Sequence, residues 1–186
     1  DRPLDPTTGV RIQGSATPYL GFGDADRFFG IGRLQASAYW ALDAEARTIL
    51  AARVGFATIL GAAADDVPAT RLFFAGGGGS VRGFDYRSLG PRDPFNRPVG
   101  GRSLVEGSLE ARIRITDTIG LVPFVDVGQA FAGPLPSRSE PLRVGAGLGL
   151  RYYTPIGPIR VDVAVPVDRR RGESPYALYV SIGQSF

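Results

Sequence analysis

The sequence contains no cysteine, no histidine and no methionine, and its 21 basic residues are all arginine. The absence of cysteine excludes a disulfide framework, a thiolate metal site and a thiol nucleophile. The absence of histidine removes the commonest general base and the Ser-His-Asp mechanisms. No segment resembles a calcium loop either. We therefore predict no metal, no cofactor and no enzymatic activity.

Long apolar runs are also absent. No stretch reaches about 18 consecutive apolar residues, so no transmembrane helix is predicted. The 186 residues, 44% of them hydrophobic, are enough for one domain with a sizeable core. The net charge of +3 is small and does not point to nucleic acid. Because the chain begins at Asp1 and has no signal peptide, we expect a processed chain or a part of a longer one.

The sequence does contain alternation of apolar and polar residues with a period of two, in eight segments. In the sharpest segment Val105, Gly107, Leu109, Ala111, Ile113 and Ile115 alternate with Glu106, Ser108, Glu110, Arg112 and Arg114. The other seven segments cover residues 10–20, 33–42, 50–60, 119–128, 142–153, 159–167 and 176–186. Turns rich in Gly, Pro and Asp separate them, which predicts eight β-strands.

The composition of the two faces favours a membrane protein. One face is nearly pure Val, Ile, Leu and Ala, and the other carries charges of both signs beside glycines, as a barrel lumen does. Strands of about 9–11 residues also match a tilted bilayer crossing. We predict an all-β fold, a transmembrane antiparallel β-barrel, with a soluble β-sandwich as the alternative. Aromatic residues near strand ends predict an interfacial belt: Tyr19, Phe22, Tyr39, Trp40, Tyr152, Tyr153, Tyr176 and Phe186.

A long connection, from about residue 61 to residue 101, contains the stretch AGGGGSVRGF at residues 75–84. It lies between two strands of one sheet, which argues against a flexible linker. A phosphate loop is excluded because Phe84 follows Gly83 where a lysine is required. Glycine permits positive φ and close backbone approach. We expect the loop to fold back into the barrel, where Arg82 would reach a buried carboxylate.

Several short motifs occur in order over nearly the whole chain: Leu4-Asp5-Pro6-Thr7-Thr8-Gly9, Phe73-Phe74-Ala75-Gly76-Gly77, Ser80-Val81-Arg82-Gly83-Phe84, Phe124-x-Asp126-x-Gly128, the turn and strand at residues 154–162, and a terminal Phe186. They resemble the signature motifs of the outer-membrane assembly and secretion barrels, the BamA/TamA-type superfamily. The first motif, together with the AVPV ending at residues 164–167, favours the TamA branch.

The resemblance implies that the long loop is tucked into the lumen. We therefore predict that two groups of residues meet: a loop latch of Val81, Arg82, Gly83 and Phe84, and lumenal wall partners Phe124, Asp126 and Gly128. The alternation by itself also places Phe124 and Asp126 on the polar face. In the alternative arrangement, Arg82 is solvated and Asp126 pairs with a wall arginine such as Arg112 or Arg143.

The resemblance further implies sixteen strands preceded by periplasmic POTRA domains, whereas this chain has about eight strands and no POTRA pattern. We expect residues 1–186 to be the C-terminal portion of the barrel, its second half, as a curled but open sheet. In the superfamily the first and last strands meet at a seam that opens sideways to client strands. In the last strand, residues 175–186, we assign Tyr176, Gly183 and Phe186 to the seam and to the final-strand signal that the superfamily carries at its C-terminus. Gly183 either weakens the strand or only makes room for a lumenal aromatic.

The implied function is that of a TamA-like factor in the bacterial outer membrane, which helps to insert or secrete β-barrel or autotransporter proteins. The implied partners are outer-membrane lipid, unfolded β-barrel or autotransporter clients and a periplasm-spanning TamB-like protein, with no nucleic acid. Two alternatives stay open: a two-partner secretion pore that exports one substrate, and a small passive barrel.

Overall fold

The fold is a single antiparallel sheet of eight strands, seen in a computed structural model that describes residues 5–21 and 27–186. The strands pair in sequence order: β1 (Gly9–Gly21), β2 (Arg27–Ala41), β3 (Thr48–Leu60), β4 (Ser103–Arg114), β5 (Ile119–Phe131), β6 (Arg143–Thr154), β7 (Gly157–Pro166) and β8 (Ala177–Ile182). Each alternating segment corresponds to one strand, so the all-β antiparallel prediction is confirmed. Within the described ranges the helical structure is one 3-10 turn, Ala64–Asp66, and no helix there is long and apolar enough to cross a membrane.

The sheet curls but stays open in the described residues. β1 pairs with β2 and β8 pairs with β7, while β1 and β8 are not hydrogen-bonded to each other. The connections at residues 42–47, 115–118 and 155–156 are short, and those at 61–102, 132–142 and 167–176 are longer. In outer-membrane barrels short turns face the periplasm and long loops face outside. The long β3–β4 connection therefore starts at the outer end.

Burial is inverted relative to a soluble protein. The inner face, defined by Ser108, Glu110, Asp126, Arg151 and Asp162, is buried, with every one of these residues at most 7% exposed. The outer face carries exposed apolar side chains along the strands, among them Leu109, Val125, Leu148, Val163 and Val180. A soluble sandwich would bury the apolar face and leave the polar face in water. The arrangement is that of a membrane barrel wall.

One prediction follows from this inversion. Val125 lies at the middle of β5 on the outer face and is 47% exposed. We expect Val125→Arg to destabilise the protein in lipid vesicles by about 2–4 kcal/mol, the cost of a cation at the bilayer midplane. The measurement is a urea titration followed by heat-modifiable gel mobility.

The control for this prediction is Gln13→Arg. Gln13 is an exposed β1 residue in a groove shared with Glu106 on the inner face, so its replacement should have little effect. Equal destabilisation by the two arginines would mean that the two faces do not differ in solvent.

The predicted aromatic belt is partly wrong. Trp40, Tyr152 and Tyr176 are about half or more exposed, at 49%, 53% and 63%. In contrast, Tyr19 stacks on Phe29 with ring centroids 4.9 Å apart, and Tyr39 is 8% exposed. Tyr153 is half-buried with the Arg114 guanidinium 4.0 Å from its ring centre. Because side chains alternate between the two faces along a strand, these three rings lie on the inner face. Their position near strand ends therefore does not place them in the belt. Phe22 and Leu4 lie outside the described residues.

Candidate functional site

The glycine-rich stretch forms a tight turn that points Arg82 at the inner face. Antiparallel bridges Phe73–Gly101 and Ala75–Leu89 bring the two sides of the long loop together. At the tip, the Gly77 N–H donates to Val81 O at 3.1 Å, and the Ser80 N–H donates to Gly77 O at 3.0 Å. Gly76 and Gly77 both have φ near +100°, a conformation that side-chain-bearing residues rarely adopt. The glycines therefore serve the turn and the close packing of the loop.

Arg82 is 1% exposed and is bound by carboxylates from three strands. Its Nε and Nη2 lie 2.6 and 2.9 Å from the two Asp126 oxygens, and its backbone N–H donates to Asp126 Oδ2 at 3.0 Å. Nη1 lies 2.8 Å from Asp162 Oδ2, and Nη2 lies 2.8 Å from Glu110 Oε1. The Phe124 ring covers the guanidinium with its centre 3.4 Å from Cζ. The predicted Arg82–Asp126 pair is present, and Phe124 stacks on it.

The alternative pairings of Asp126 do not occur. Arg112 is bound to Glu110, 3.0 Å from Nε to Oε2. Arg143 is bound to Asp168 and Glu173, at 2.6 and 2.8 Å. Burial lowers the pKa of Arg82, but the Asp126 hydrogen bond and the charges of Glu110 and Asp126 outweigh it and raise this pKa above its usual range. Arg82 therefore stays charged inside the sheet.

Other latch residues fill the space around this ion cluster. Val81 and Phe84 are buried in an apolar cluster with Ala75 and Leu89. A side chain at Gly128 would lie 2.8 Å from Val81 Cγ2, so Gly128 makes room for the loop tip. Gly83 has φ +98° and lies so close to the Val165 carbonyl carbon that a Cβ would be 2.9 Å away. The seven predicted latch and wall residues thus meet at one place.

Sequence reasoning missed several side chains of this site. Glu110 and Asp162, together with Asp126, surround the Arg82 guanidinium, and we call these three carboxylates the Arg82 cage. Ser108 Oγ donates to Asp126 Oδ1 at 2.6 Å. Tyr179, on β8, contacts the loop backbone on both sides of Gly83. All four lie on the polar face by parity, and that signal could have pointed to them. Among the described residues no group of three or more His, Cys, Asp or Glu side chains is arranged to hold a metal ion.

The predicted last-strand residues do not bind Arg82 directly, although the Phe186 carbonyl oxygen accepts a hydrogen bond from Arg112, which binds Glu110. β8 ends at Ile182, earlier than expected, and Gly183 follows it with φ +88° and donates its N–H to Pro158 O at 2.7 Å. Tyr176 is exposed just before β8. Phe186 was predicted in the interfacial aromatic belt, and this is wrong: its ring centre lies 6.2 Å from that of inner-face Tyr39, under Arg112. The bend at Gly183 breaks the alternation and turns the following residues inward.

Comparison with known proteins agrees with this fold. The family model described as the Omp85 superfamily domain matches residues 1–186. The outer membrane protein assembly factor BamA of Nitratidesulfovibrio vulgaris is 32% identical over 127 residues, which are 65% of this chain and 16% of that protein. The crystal structure of BamA from Haemophilus ducreyi lacking POTRA domains 1-3 matches with a TM-score of 0.75 and 27% identity, over 93% of this chain and 38% of that chain. This chain therefore spans less than half of the length of either relative.

The Omp85 family model matches all 186 residues, and the structure has an apolar outer face, a charged inner face and a long loop that points inward. These features make the chain part of a bacterial outer-membrane β-barrel. It belongs to the Omp85 superfamily.

Proposed function

We propose that this protein is an outer-membrane protein assembly factor that helps β-barrel clients to insert. The observation that carries the proposal is the buried Arg82 cage, which fixes the long loop to β4, β5 and β7 inside a lipid-facing sheet. A passive barrel has no need for such a latch. A relative that bears the name of an assembly factor, BamA of N. vulgaris, supports the same role.

In this proposal the protein acts as a scaffold without enzymatic chemistry. The latch keeps the inner wall rigid, and β8 forms one side of a seam at which an unfolded client adds a strand by main-chain pairing. The wall partners Phe124, Asp126 and Gly128 hold the loop. The segment from Tyr176 to Phe186 supplies one side of the seam and the final-strand signal.

We further propose that residues 1–186 are the second half of a sixteen-stranded barrel. The open edges of β1 and β8 support this, because unpaired strand edges do not occur facing lipid. An eight-stranded barrel also has an interior just wide enough for side chains, which is too narrow for the loop. An antibody against residues 176–186 tests this on outer-membrane fractions, and a native polypeptide no larger than this chain would contradict it.

The finer proposal is a TamA-like factor, with autotransporter clients and a periplasm-spanning partner. The support is the turn at residues 5–9, in which Pro6 is buried and Gly9 has φ +112°, and the AVPV ending of β7.

The test of function uses the full-length protein in lipid vesicles. An unfolded β-barrel client and an unfolded autotransporter are added separately, and folding is followed by gel mobility against protein-free vesicles. Faster folding of either client supports an assembly factor, and a preference for the autotransporter supports the TamA-like role. No acceleration of either, with export of one dedicated substrate, would instead support a two-partner secretion pore.

Gly183 offers a separate prediction for the seam. At φ +88° a β-branched residue is strained, so Gly183→Val should straighten or displace the end of β8. We expect client folding in vesicles to slow several-fold, because the bend governs how the seam pairs. Gly172→Val is the control, since Gly172 has φ +90° with open space around it. Equal effects of the two variants would assign the loss to backbone strain rather than to the seam.

A further inference from the structure

Tyr179 is the β8 side chain that hydrogen-bonds to the long loop. Its Oη accepts from the Gly83 N–H at 3.1 Å and donates to Phe84 O at 3.0 Å. Its ring also covers Gly78, where an added Cβ would lie 2.8 Å from Tyr179 Cδ1. One side chain therefore holds the loop backbone immediately after Arg82 and packs against the glycine turn before it.

The position of Tyr179 connects it to the Arg82 cage. In the β7–β8 register Tyr179 stands opposite Asp162, the carboxylate that binds Arg82 Nη1. The loop tip is thus attached to β7 through a charge and to β8 through a phenol. The Glu110 and Asp126 contacts reach only β4 and β5.

Within its own residues, 177–182, β8 has few other attachments. It is six residues long, it pairs only with β7 in the described sheet, and its outer side chains Leu178 and Val180 are 60% and 68% exposed. An edge strand with one paired side is held by fewer main-chain hydrogen bonds than an interior strand. The residues just after β8 are anchored by hydrogen bonds from Gly183 to Pro158, from Arg151 to Gln184 and from Ser185 to Glu110. The Tyr179 contact is therefore a large share of what holds residues 177–182 themselves.

We propose that Tyr179 is a positioning residue that couples seating of the loop tip to pairing of β8. When the tip is seated, the phenol holds β8 against β7, and when the tip leaves, β8 loses this attachment. The coupling is reciprocal, since any link between two equilibria acts in both directions. The consequence for client insertion rests on the proposed function, because it needs β8 to be the seam strand, but the coupling itself does not.

The experiment is hydrogen–deuterium exchange on the full-length protein in lipid nanodiscs. Tyr179→Phe removes only the hydroxyl and leaves the buried Gly83 N–H and Phe84 carbonyl without this partner. We expect exchange to rise about tenfold or more both at residues 83–84 and across residues 177–182. The matched control is Tyr152→Phe on β6, an exposed outer-face tyrosine whose loss should change neither region.

Arg82→Gln provides the reciprocal measurement. It disturbs the loop from the far side of the contact, and β8 exchange should rise although the ion pairs of Arg82 go to β4, β5 and β7. The double variant should exchange little faster than the more affected single variant, because each change breaks the same link. The proposal would be overturned if β8 exchange were unchanged in Tyr179→Phe. It would also be overturned if the exchange rate of the double variant rose by the product of the two single-variant increases.

Client folding measured in parallel separates the two proposals. Coupled exchange with unchanged client folding would leave the Tyr179 link standing and count against β8 as the seam. Uncoupled exchange with slowed client folding would overturn the proposed Tyr179 link, while the proposed assembly function would stand.

Discussion

Replacing Arg82 by alanine is expected to release the long loop and abolish most assembly activity. Three carboxylates surround the guanidinium, and Glu110, Asp126 and Asp162 are each at most 1% exposed. Removing one partner of a buried ion pair typically costs about 3–5 kcal/mol, because the remaining charge stays buried without compensation. Here the loss leaves Asp126 without its bidentate partner, so the effect should lie at the upper end of that range.

The measurement combines limited proteolysis of the loop with the client-folding assay in vesicles. The control is Arg97→Ala, which breaks an Arg97–Asp93 pair of similar length, 2.7 Å, in the same loop. The Arg97 side chain is 73% exposed, and exposed pairs contribute about 0–1 kcal/mol. If Arg82→Ala kept wild-type protease resistance and client folding, the latch would have no function.

The charge-reversed double variant is not expected to rescue activity. Treated as an isolated pair, Arg82→Asp with Asp126→Arg would restore the attraction. The structure adds Glu110 and Asp162 at 2.8 Å from the Arg82 guanidinium nitrogens. An aspartate at position 82 would face two carboxylates, and like charges at that distance oppose each other strongly. The site is a network in which Arg82 lies between three carboxylates, and two of these, Glu110 and Asp162, also bind Arg112 and Arg151.

The second large effect is expected at Gly145. On β6, Gly145, Gly147 and Gly149 present no side chains to the inner face, and the loop tip occupies the space above Gly145. The Phe124 ring lies over Gly147, and the Asp162 and Arg151 side chains lie over Gly149. A Cβ on Gly145 would overlap the Arg82 carbonyl oxygen and lie 3.1 Å from its carbon. The obstructing atoms are backbone, so no rotamer change relieves the clash.

We expect Gly145→Ala to unseat the loop and lower the free energy of unfolding by at least about 1–3 kcal/mol, the usual cost of overpacking. Urea titration in vesicles and loop proteolysis measure the two effects. Gly30→Ala on β2 is the control, because a Cβ there meets nothing within 4 Å. A protease-resistant loop in Gly145→Ala would mean that the tip does not lie over β6 as described.

The alternation of residue types predicted the strands well because each strand has one apolar, lipid-facing side and one polar side that faces the interior. It also put Phe124 and Asp126 on the inner face, where Arg82 meets them. Parity also places Glu110 and Asp162 on the inner face, but their convergence on Arg82 was not predictable, because it depends on the curl of the sheet and on register over four strands. Phe186 was misassigned because a single left-handed glycine, Gly183, ends the alternation.

The three acidic partners of Arg82 differ in their distance along the chain, and this has a consequence for folding. Asp126 and Asp162 lie 44 and 80 residues downstream. Contacts of high sequence separation form slowly, because the intervening chain must be ordered before they are made. The cage cannot be complete until β7 is in register, so a chain folding from its N-terminus holds the loop only through Glu110 and Asp126 until β7 has formed. Burial of Arg82 therefore marks the point at which this half of the wall has folded correctly.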